Sequence, residues 1–372
     1  MARADELERV ARELAGAAEL ALDTEGDSLH HYPERLALVQ IGAPSGEVWL
    51  LDPIALDDLA PLAPVFASPA IALVLHAADN DLAHLKRRHG FVFAGLFDTS
   101  IAARFLGGRS LGLDVLLETY LGVGLPPSRQ KDDWSARPLT AEQLAYAAAD
   151  VRHLFALKAR LVDELTACGR LAWVLEECAA LAAQPAPERA DDGTAYLGVK
   201  GARDLPPRQL AAMRALWERR DELARSADRP PFKVIPEATL LELARSSPRD
   251  PEALAGVPGV TPRIRARWGD ALLDAIEAAY RLPEGELPRL ERRHRPLVPA
   301  AVSRRVEALR RWRAKATERV GLEPGVLLPN RLISAIAEAG PRSLEDLLAV
   351  DGVRRWRAET FGAEILAALT TP

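Results

Sequence analysis

The sequence contains little cysteine and no long apolar run. Only two of its 372 residues are cysteines, Cys168 and Cys178, which is too few for a disulfide framework and gives no paired spacing for a zinc site. We expect both to pack on helices as small apolar residues. No apolar run reaches the length of about 18 residues that a transmembrane helix needs. The charged segment from Met1 to Arg12 has no signal-peptide core, so the expected location is the cytoplasm.

The net charge of −5 gives no overall sign of nucleic-acid binding, but the charges are unevenly distributed. Residues 1–200 contain 18 Lys and Arg against 29 Asp and Glu, whereas residues 201–372 contain 30 against 24. An acidic amino-terminal half is typical of a cation site, and a basic carboxy-terminal half is typical of a surface for a polyanion. Mixed Arg and Glu is also ordinary for solvated helices, so charge alone decides neither interpretation.

The element order in residues 1–181 predicts an α/β domain with a mixed sheet and flanking helices. Strand-like runs occur at Glu19–Glu25, Leu36–Ile41, Val48–Leu51 and Ile71–Leu75. Helical patterns occur at residues 4–16, 56–66, 81–88, 99–106 and 113–121, followed by one long helix from Thr140 to about Cys168. Thr140 and Gln143 form a capping-box pattern at the start of that helix.

The carboxy-terminal region is helical by pattern and repeats itself after a Pro- and Asp-rich linker at residues 182–206. Equivalent residues lie 93 positions apart, as shown by the pairs Pro236 and Pro329, Leu254 and Leu347, Val257 and Val350, Gly259 and Gly352, and Trp268 and Phe361. Two copies are too few for a solenoid. We therefore predict two small helical domains, at 207–283 and 301–372, with a second linker at 284–300.

Each copy contains a Val-x-Gly-Val turn, centred on Gly259 or Gly352 and followed closely by arginines. A glycine turn that leads into a helix can present backbone N–H groups to a phosphate. Glycine can equally serve only the backbone conformation of a tight helix–helix turn. Both interpretations stay open from the sequence.

Two carboxylates stand at the end of the first predicted strand. Asp23 and Glu25 are two residues apart, so their side chains share one face of the strand. Acids placed in this way repel each other unless a cation lies between them or one is protonated. The pair alone is more typical of a solvated strand end, and its significance depends on acids elsewhere in the chain.

Further acids follow at Asp81, after the buried strand that ends at His76, and at Asp150 on the long helix. Tyr146 precedes Asp150 by four residues and lies on the same helix face. The segments that contain these residues resemble the three motifs of the DEDDy 3′–5′ exonucleases. The loop from Lys131 to Leu139 is similar to that of the ribonuclease D branch, and the duplicated module resembles the HRDC domain.

The resemblance implies a ribonuclease H-like exonuclease domain at residues 1–181 and two all-α HRDC-like domains. It also implies hydrolysis of phosphodiesters with two divalent ions, Mg²⁺ or Mn²⁺, as oxygen-rich ligands favour. Asp23 would bridge both ions, with Glu25 and Asp150 completing the water-activating site. Asp81 would hold the second ion, largely through water, and Tyr146 would orient the attacking water.

Four residues are candidates for substrate binding. Lys131 and Arg137 are cations beside the acidic site and suit phosphate. Trp134 suits base stacking or loop packing, and His76 suits substrate contact or a structural hydrogen bond. One residue departs from the family pattern, because Gly26 stands where a bulky residue is usual.

The resemblance therefore predicts a 3′–5′ exoribonuclease that trims tRNA precursors or other structured RNA and releases nucleoside 5′-monophosphates. We expect a monomer that does not associate with membranes. Two other functions stay open. One is a DNA-directed 3′–5′ exonuclease, since metal ligands do not read the 2′-hydroxyl, and the other is a catalytically silent nucleic-acid-binding scaffold.

Overall fold

The computed structural model describes residues 1–56, 58–186, 193–290 and 298–370. Parts of both predicted linkers, at 187–192 and 291–297, lie outside these residues. By their internal contacts the residues form two compact units. The first unit comprises Met1–Glu25, Leu36–Pro187 and Arg295–Pro372, and the second comprises Gly26–Arg35 and Glu188–His294.

A five-stranded sheet forms the centre of the α/β domain in the described residues. Its strands are β1 (Glu19–Gly26), β2 (Leu36–Gly42), β3 (Val48–Leu51), β4 (Ala72–Leu75) and β5 (Leu96–Asp98), in the order β3-β2-β1-β4-β5. Strands β2 and β3 form an antiparallel hairpin, whereas β4 runs parallel to β1 and β5. The mixed sheet predicted from the sequence is thus confirmed. Strand β5 was not predicted, because three residues are too short for a periodic pattern.

Helices surround this sheet. They are α1 (Ala4–Leu14), α2 (Ala63–Phe66), α3 (Asp79–His89), α4 (Thr99–Phe105), α5 (Leu113–Leu121), α6 (Ala141–Arg152), α7 (Leu154–Ala167) and α8 (Leu171–Ala183). The capping box of Thr140 and Gln143 is present at the start of α6.

The prediction of one long helix after Thr140 was wrong, because the chain leaves helical pairing at His153. Helix α6 packs against β2 and β3, whereas α7 packs against β4, α4 and α5. Because the two helices cover different parts of the core, their axes point in different directions. The helical spacing of apolar residues in the sequence does not reveal a change in the direction of the axis. Cys178 is buried as expected, but Cys168 follows α7 and is exposed.

Both copies of the helical module contain five helices in matching order. The first copy has α9 (Pro207–Ser226), α10 (Pro231–Val234), α11 (Glu237–Ser246), α12 (Pro251–Ala255) and α13 (Pro262–Arg281). The second copy has α14 (Ala300–Val320), α15 (Pro324–Leu327), α16 (Asn330–Ala339), α17 (Leu344–Leu348) and α18 (Arg355–Thr370).

The glycine of each repeated turn has a left-handed backbone, with φ of +86° at Gly259 and +82° at Gly352. A Cβ on Gly259 would lie only 2.2 Å from the Thr239 hydroxyl. The turn therefore requires glycine for its own geometry. The phosphate interpretation of the turn stays a prediction.

The second copy shares a continuous hydrophobic core with the α/β domain. The Trp173 ring on α8 stacks on Trp356 of α18, with centroids 4.7 Å apart. Phe105 packs edge-on against Trp356 at 5.4 Å. Buried aromatic pairs of this kind contribute about 0.5–1.5 kcal/mol beyond the area that they bury. The second copy and the α/β domain thus stabilise each other.

Among the described residues, no helix combines the length and apolar character that crossing a membrane requires.

Candidate active site

Three acidic side chains from two distant segments meet at one end of the sheet. Oxygen atoms of Asp23, Glu25 and Asp150 all lie within 4.8 Å of one another. Asp23 and Glu25 project from the same face of β1, and Asp150 reaches them from the last turns of α6. Helix α6 is fixed in this position by its packing on β2 and β3. The predicted convergence of these three residues is present in the structure.

Asp81 lies close to this cluster but is not one of its members. Its carboxylate accepts a hydrogen bond from the Thr24 hydroxyl, and its charge is the strongest of the charges that raise the pKa of Asp23. Thr24 stands between the two acids of β1 and therefore points to the other face of the strand. The hydrogen bond with Thr24 therefore holds Asp81 at the side of β1, next to the cluster.

Asp98 at the end of β5 fixes the start of the helix that carries Asp81. Its buried carboxylate accepts hydrogen bonds from the backbone N–H groups of Ala77 and Ala78, at 3.2 and 2.8 Å. The same carboxylate caps α4 by accepting from Ser100 and Ile101. One side chain thus joins two helix starts to the edge of the sheet. Asp98 was not predicted from the sequence, because the short strand that it ends carries no distinctive pattern.

Burial raises the pKa of every acid at this site, and repulsion by the other acids raises it further at Asp23 and Glu25. Burial, followed by repulsion from Asp150 and Asp81, raises the pKa of Glu25 to about 8. Burial raises the pKa of Asp150 to about 7 and that of Asp81 to about 6. The pKa of Asp23 also lies well above its usual value, because it is buried beside all three other acids. Without a cation, Glu25 would therefore be mostly protonated at neutral pH and Asp150 partly protonated.

Tyr146 lies next to the acids and is 5% exposed. Burial has the largest effect on the pKa of Asp150, and the neighbouring phenol acts against it by lowering that pKa. Burial, together with the charges of the nearby acids, raises the pKa of the phenol above its usual value. Tyr146 therefore stays protonated at neutral pH and acts as a hydrogen-bonding group rather than as a base.

An open cleft of about 710 Å³ leads to the acids. Asp23, Glu25, Asp150 and Tyr146 line it together with residues around the start of α5, Leu111 to Asp114, and with Leu125 to Ser128 and Gln130 in the segment after α5. Ser128 and Gln130 were not among the residues predicted to form the site. Their position immediately before the polar loop at Lys131 was the only signal available.

His76 lines the cleft and also makes a structural hydrogen bond. Its Nδ1 atom lies 2.9 Å from the Thr99 hydroxyl. Burial lowers the pKa of the imidazole, so the ring is neutral at neutral pH. Both interpretations of His76 are compatible with this position.

Arg137 is engaged in contacts within the fold. Its guanidinium donates to both carboxylate oxygens of Asp52, each at 2.7 Å, and to the backbone carbonyl of Ala37 at 2.8 Å. It also donates to the carbonyls of Trp134 and Ala136, at 2.6 and 3.0 Å. These contacts hold the loop before α6 against the sheet.

Trp134 lies in the interior with 0% exposure, and its ring centroid is 6.1 Å from that of Tyr146. A buried indole cannot stack on a base in this conformation, so its packing supports Tyr146 from behind. Lys131 is exposed on the same loop but does not line the cleft. Gly26 ends β1 and is partly buried.

The donor set fits a hard divalent cation. Asp23, Glu25 and Asp150 offer only carboxylate oxygens, which Mg²⁺ and Mn²⁺ prefer, and no His or Cys ligand is part of the cluster. The raised pKa values show that the fold brings together charges that a cation would neutralise. The structure thus contains a carboxylate site suited to a divalent metal.

Comparison with known proteins agrees with this arrangement. A family model described as a 3′–5′ exonuclease matches residues 1–166, and the HRDC domain model matches residues 209–276 and 303–369. Ribonuclease D from Pseudomonas paraeruginosa is 37% identical over 356 residues, covering 94% of this chain and 92% of that protein. Ribonuclease D from Escherichia coli is 35% identical over 271 residues, covering 72% and 71% of the two chains.

The fold is similar to the crystal structure of Escherichia coli RNase D, an exoribonuclease involved in structured RNA processing. The TM-score is 0.72 at 28% identity, covering 99% of this chain and 97% of that one. Similarity in sequence and fold over most of the chain, together with the exonuclease and HRDC matches, confirms the resemblance found in the motifs. The chain belongs to the ribonuclease D family of 3′–5′ exoribonucleases.

Proposed function

We propose that this protein hydrolyses RNA from the 3′ end with two divalent cations, Mg²⁺ or Mn²⁺, and releases nucleoside 5′-monophosphates. The observation that carries the proposal is the convergence of Asp23, Glu25 and Asp150 within 4.8 Å beside a protonated Tyr146. Two such ions, when bound, stabilise the attacking and leaving oxygens of an in-line displacement at phosphorus and lower the pKa of water. Clustered acids destabilise the fold and repel RNA unless a cation neutralises them, so their presence favours a metal-dependent enzyme over a scaffold without activity.

The roles of the side chains are those that the family resemblance implies. Asp23, Glu25 and Asp150 would together hold the divalent cations, with Asp23 shared between them and Glu25 and Asp150 completing the water-activating side. Asp81, held beside β1 by Thr24, is suited to a second cation reached through water. Tyr146 donates a hydrogen bond that orients the attacking oxygen, because its phenol keeps its proton.

The substrate we propose is structured RNA with an accessible 3′ end, such as a tRNA precursor. The open cleft, with a volume of about 710 Å³, leads to the acids and suits a single-stranded end. The HRDC-like domains, which we place at 207–283 and 301–372 after an exonuclease domain at 1–181, add contacts away from the cut. Linked contacts raise the effective concentration of a long substrate at the cleft.

We propose structural roles for Arg137 and Trp134, because the first is fully engaged with Asp52 and backbone carbonyls and the second is buried. His76 and Lys131 stay candidates for substrate contact, His76 because it lines the cleft.

The direct test is hydrolysis of matched single-stranded RNA and DNA oligonucleotides in Mg²⁺ or Mn²⁺, with the products separated by length. We expect stepwise shortening of RNA from the 3′ end and release of 5′-monophosphates. Asp23→Ala should abolish hydrolysis, and Asp163→Ala, an exposed acid on α7, is the control. Faster shortening of DNA would favour the DNA-directed function, and RNA binding without release in either metal would favour the scaffold.

A further inference from the structure

A second cleft, of about 220 Å³, is lined by the α/β domain on one side and by the second helical copy on the other. Both belong to the same compact unit. Arginines are the main charged groups in its wall. They are Arg104 on α4, Arg331 on α16, Arg354 in the turn before α18, and Arg357 on α18, opposed by the acids Asp79 and Glu177. We call this feature the arginine cleft.

The arginines exceed the acids that could neutralise them. Glu177 accepts from Arg357 Nη1 at 2.7 Å and from Arg354 Nε at 3.3 Å, so this one carboxylate serves two cations. Buried Arg357 also donates to the carbonyls of Leu327 and Val326, at 3.0 and 2.9 Å. Each of its three guanidinium nitrogens therefore has a partner within the fold.

The remaining guanidinium donors are available to a ligand. Among the described residues, Arg104 and Arg331 make no ion pair or side-chain hydrogen bond, and both are exposed. A Cβ on Gly352 would lie 4.0 Å from Arg331 Nη1, so that guanidinium reaches toward the repeated turn. Arg354 uses only Nε. Arginine forks of this kind bind phosphate oxygens through paired N–H groups.

The first copy lacks these cations at the equivalent positions. At the offset of 93 residues, Arg331, Arg354 and Arg357 of the second copy correspond to Ala238, Thr261 and Ile264 of the first. The second copy thus has three guanidinium groups at positions where the first copy has uncharged side chains. Since the two modules share their fold, the arginine cleft does not follow from the module itself.

The amino terminus of α18 is not the binding group in this region. Glu176 on α8 accepts hydrogen bonds from the backbone N–H groups of Arg355 and Trp356, at 2.6 and 2.9 Å. In the first copy, the Thr261 hydroxyl accepts from Ile264 and caps α13 from within the module. The carboxylate of Glu176 therefore occupies the backbone N–H groups that could otherwise bind a phosphate at this turn.

Neighbouring residues in the sequence line the arginine cleft and the catalytic cleft. His76 and Ala77 line the catalytic cleft, whereas Asp79, two residues further on, lines the arginine cleft. Asp81, on the same helix α3, lies beside the catalytic acids. A polynucleotide with its 3′ end at the acids has further phosphates upstream, and each carries a charge that free arginines attract.

We propose that the arginine cleft binds a backbone phosphate of the RNA upstream of the scissile bond, through Arg104 and Arg331 with a contribution from Arg354. This proposal rests on the proposed RNA hydrolysis. The second helical copy then contributes to substrate binding through cations at its junction with the exonuclease domain, rather than through its glycine turn.

The experiment uses the full-length variants Arg104→Gln, Arg331→Gln and the double variant, with Arg311→Gln as control. Arg311 is exposed on α14, makes no ion pair among the described residues, and does not line the cleft. Hydrolysis is measured on a dinucleotide and on a longer single-stranded RNA, and binding of the longer RNA is measured in EDTA over a salt series. Thermal unfolding of each variant checks the fold.

We expect KM for the longer RNA to rise about tenfold in the double variant, the value of one charge-assisted hydrogen bond, with kcat unchanged. The slope of log K against log salt should become shallower by about 0.7 for each phosphate that the variant no longer binds. Dinucleotide hydrolysis should not change, because so short a substrate does not extend beyond the catalytic cleft.

Double-variant results equal to those of Arg311→Gln on the longer RNA would overturn the proposal, as would an equal loss on the dinucleotide. Inorganic phosphate could instead stabilise the wild type but not the double variant, while both bind RNA with the same affinity. This result would assign the cleft to a free anion and would also overturn the proposal. Failure of the wild type to hydrolyse the dinucleotide would contradict the proposed function instead, and the salt series in EDTA would still test the cleft.

Discussion

Thr24 donates a hydrogen bond to the carboxylate of Asp81, joining the residue between the two acids of β1 to the first turn of α3. This contact lowers the pKa of Asp81, against the larger effect of burial that raises it to about 6. The hydroxyl therefore both positions the carboxylate and favours its charged form. Thr24 itself is not a metal ligand, and its role is to position and ionise Asp81.

Replacing Thr24 by Val should reduce activity by about ten- to a hundredfold, because Asp81 loses its hydrogen bond and becomes harder to ionise. The loss should be larger at low pH, where a raised pKa leaves more of the carboxyl protonated. Thr24→Ser, which retains the hydroxyl, should restore most of the activity. Initial rates of RNA hydrolysis over a pH series measure both effects, and equal rates for the Val and Ser variants would contradict this role.

Asp150→Asn should abolish hydrolysis and stabilise the metal-free protein at alkaline pH. A carboxyl whose pKa is raised from 3.8 to about 7 by folding contributes stability that is present below its unfolded pKa and is lost as pH rises through the folded value. The amide carries no charge and avoids this loss. The gain should be on the order of 1–2 kcal/mol at about pH 8 and near zero at about pH 4.

Thermal unfolding in EDTA at the two pH values measures this gain, with exposed Asp163→Asn as the control. Adding Mn²⁺ should stabilise the wild type more than Asp150→Asn, because the cation binds to the native carboxylates and not to the unfolded chain. A variant that is no more stable than the wild type at alkaline pH would show that repulsion at this site is already relieved without metal.

Tyr146→Phe should lower kcat by about a hundredfold or more, which is the usual contribution of one positioned proton-handling group. KM should change little, because the phenol orients the attacking oxygen and does not hold the chain of the substrate. Stabilisation by Mn²⁺ should persist, since no metal ligand is removed. A variant that lost Mn²⁺ stabilisation would instead assign Tyr146 a structural role in holding Asp150.

Arg137→Gln should destabilise the protein by roughly 2–4 kcal/mol, because the half-buried Asp52 loses a bidentate partner and several carbonyls lose their donor. The pKa of Asp52, which Arg137 holds below its usual value, should rise in the variant. At a temperature where the variant is folded, KM for RNA should stay close to that of the wild type. An increase in KM without a loss of thermal stability would restore Arg137 as a phosphate contact.

The local parts of this protein were predictable from its sequence because they rest on short-range patterns. Alternation on β1 placed Asp23 and Glu25 on one face, and helical spacing placed Tyr146 one turn before Asp150. The capping box at Thr140 and the 93-residue repeat were equally visible, since each depends only on the spacing of residue types.

Tertiary packing decided the features that depend on contacts between distant segments. The break at His153, the hydrogen bonds that join Asp98 to the starts of two helices, and the engagement of Arg137 by Asp52 all arise from such contacts. The docking of the second helical copy on α8 is of the same kind, and so is the arginine cleft that forms beside it. Sequence spacing determines which residues share a face, but only the packed core determines what that face meets.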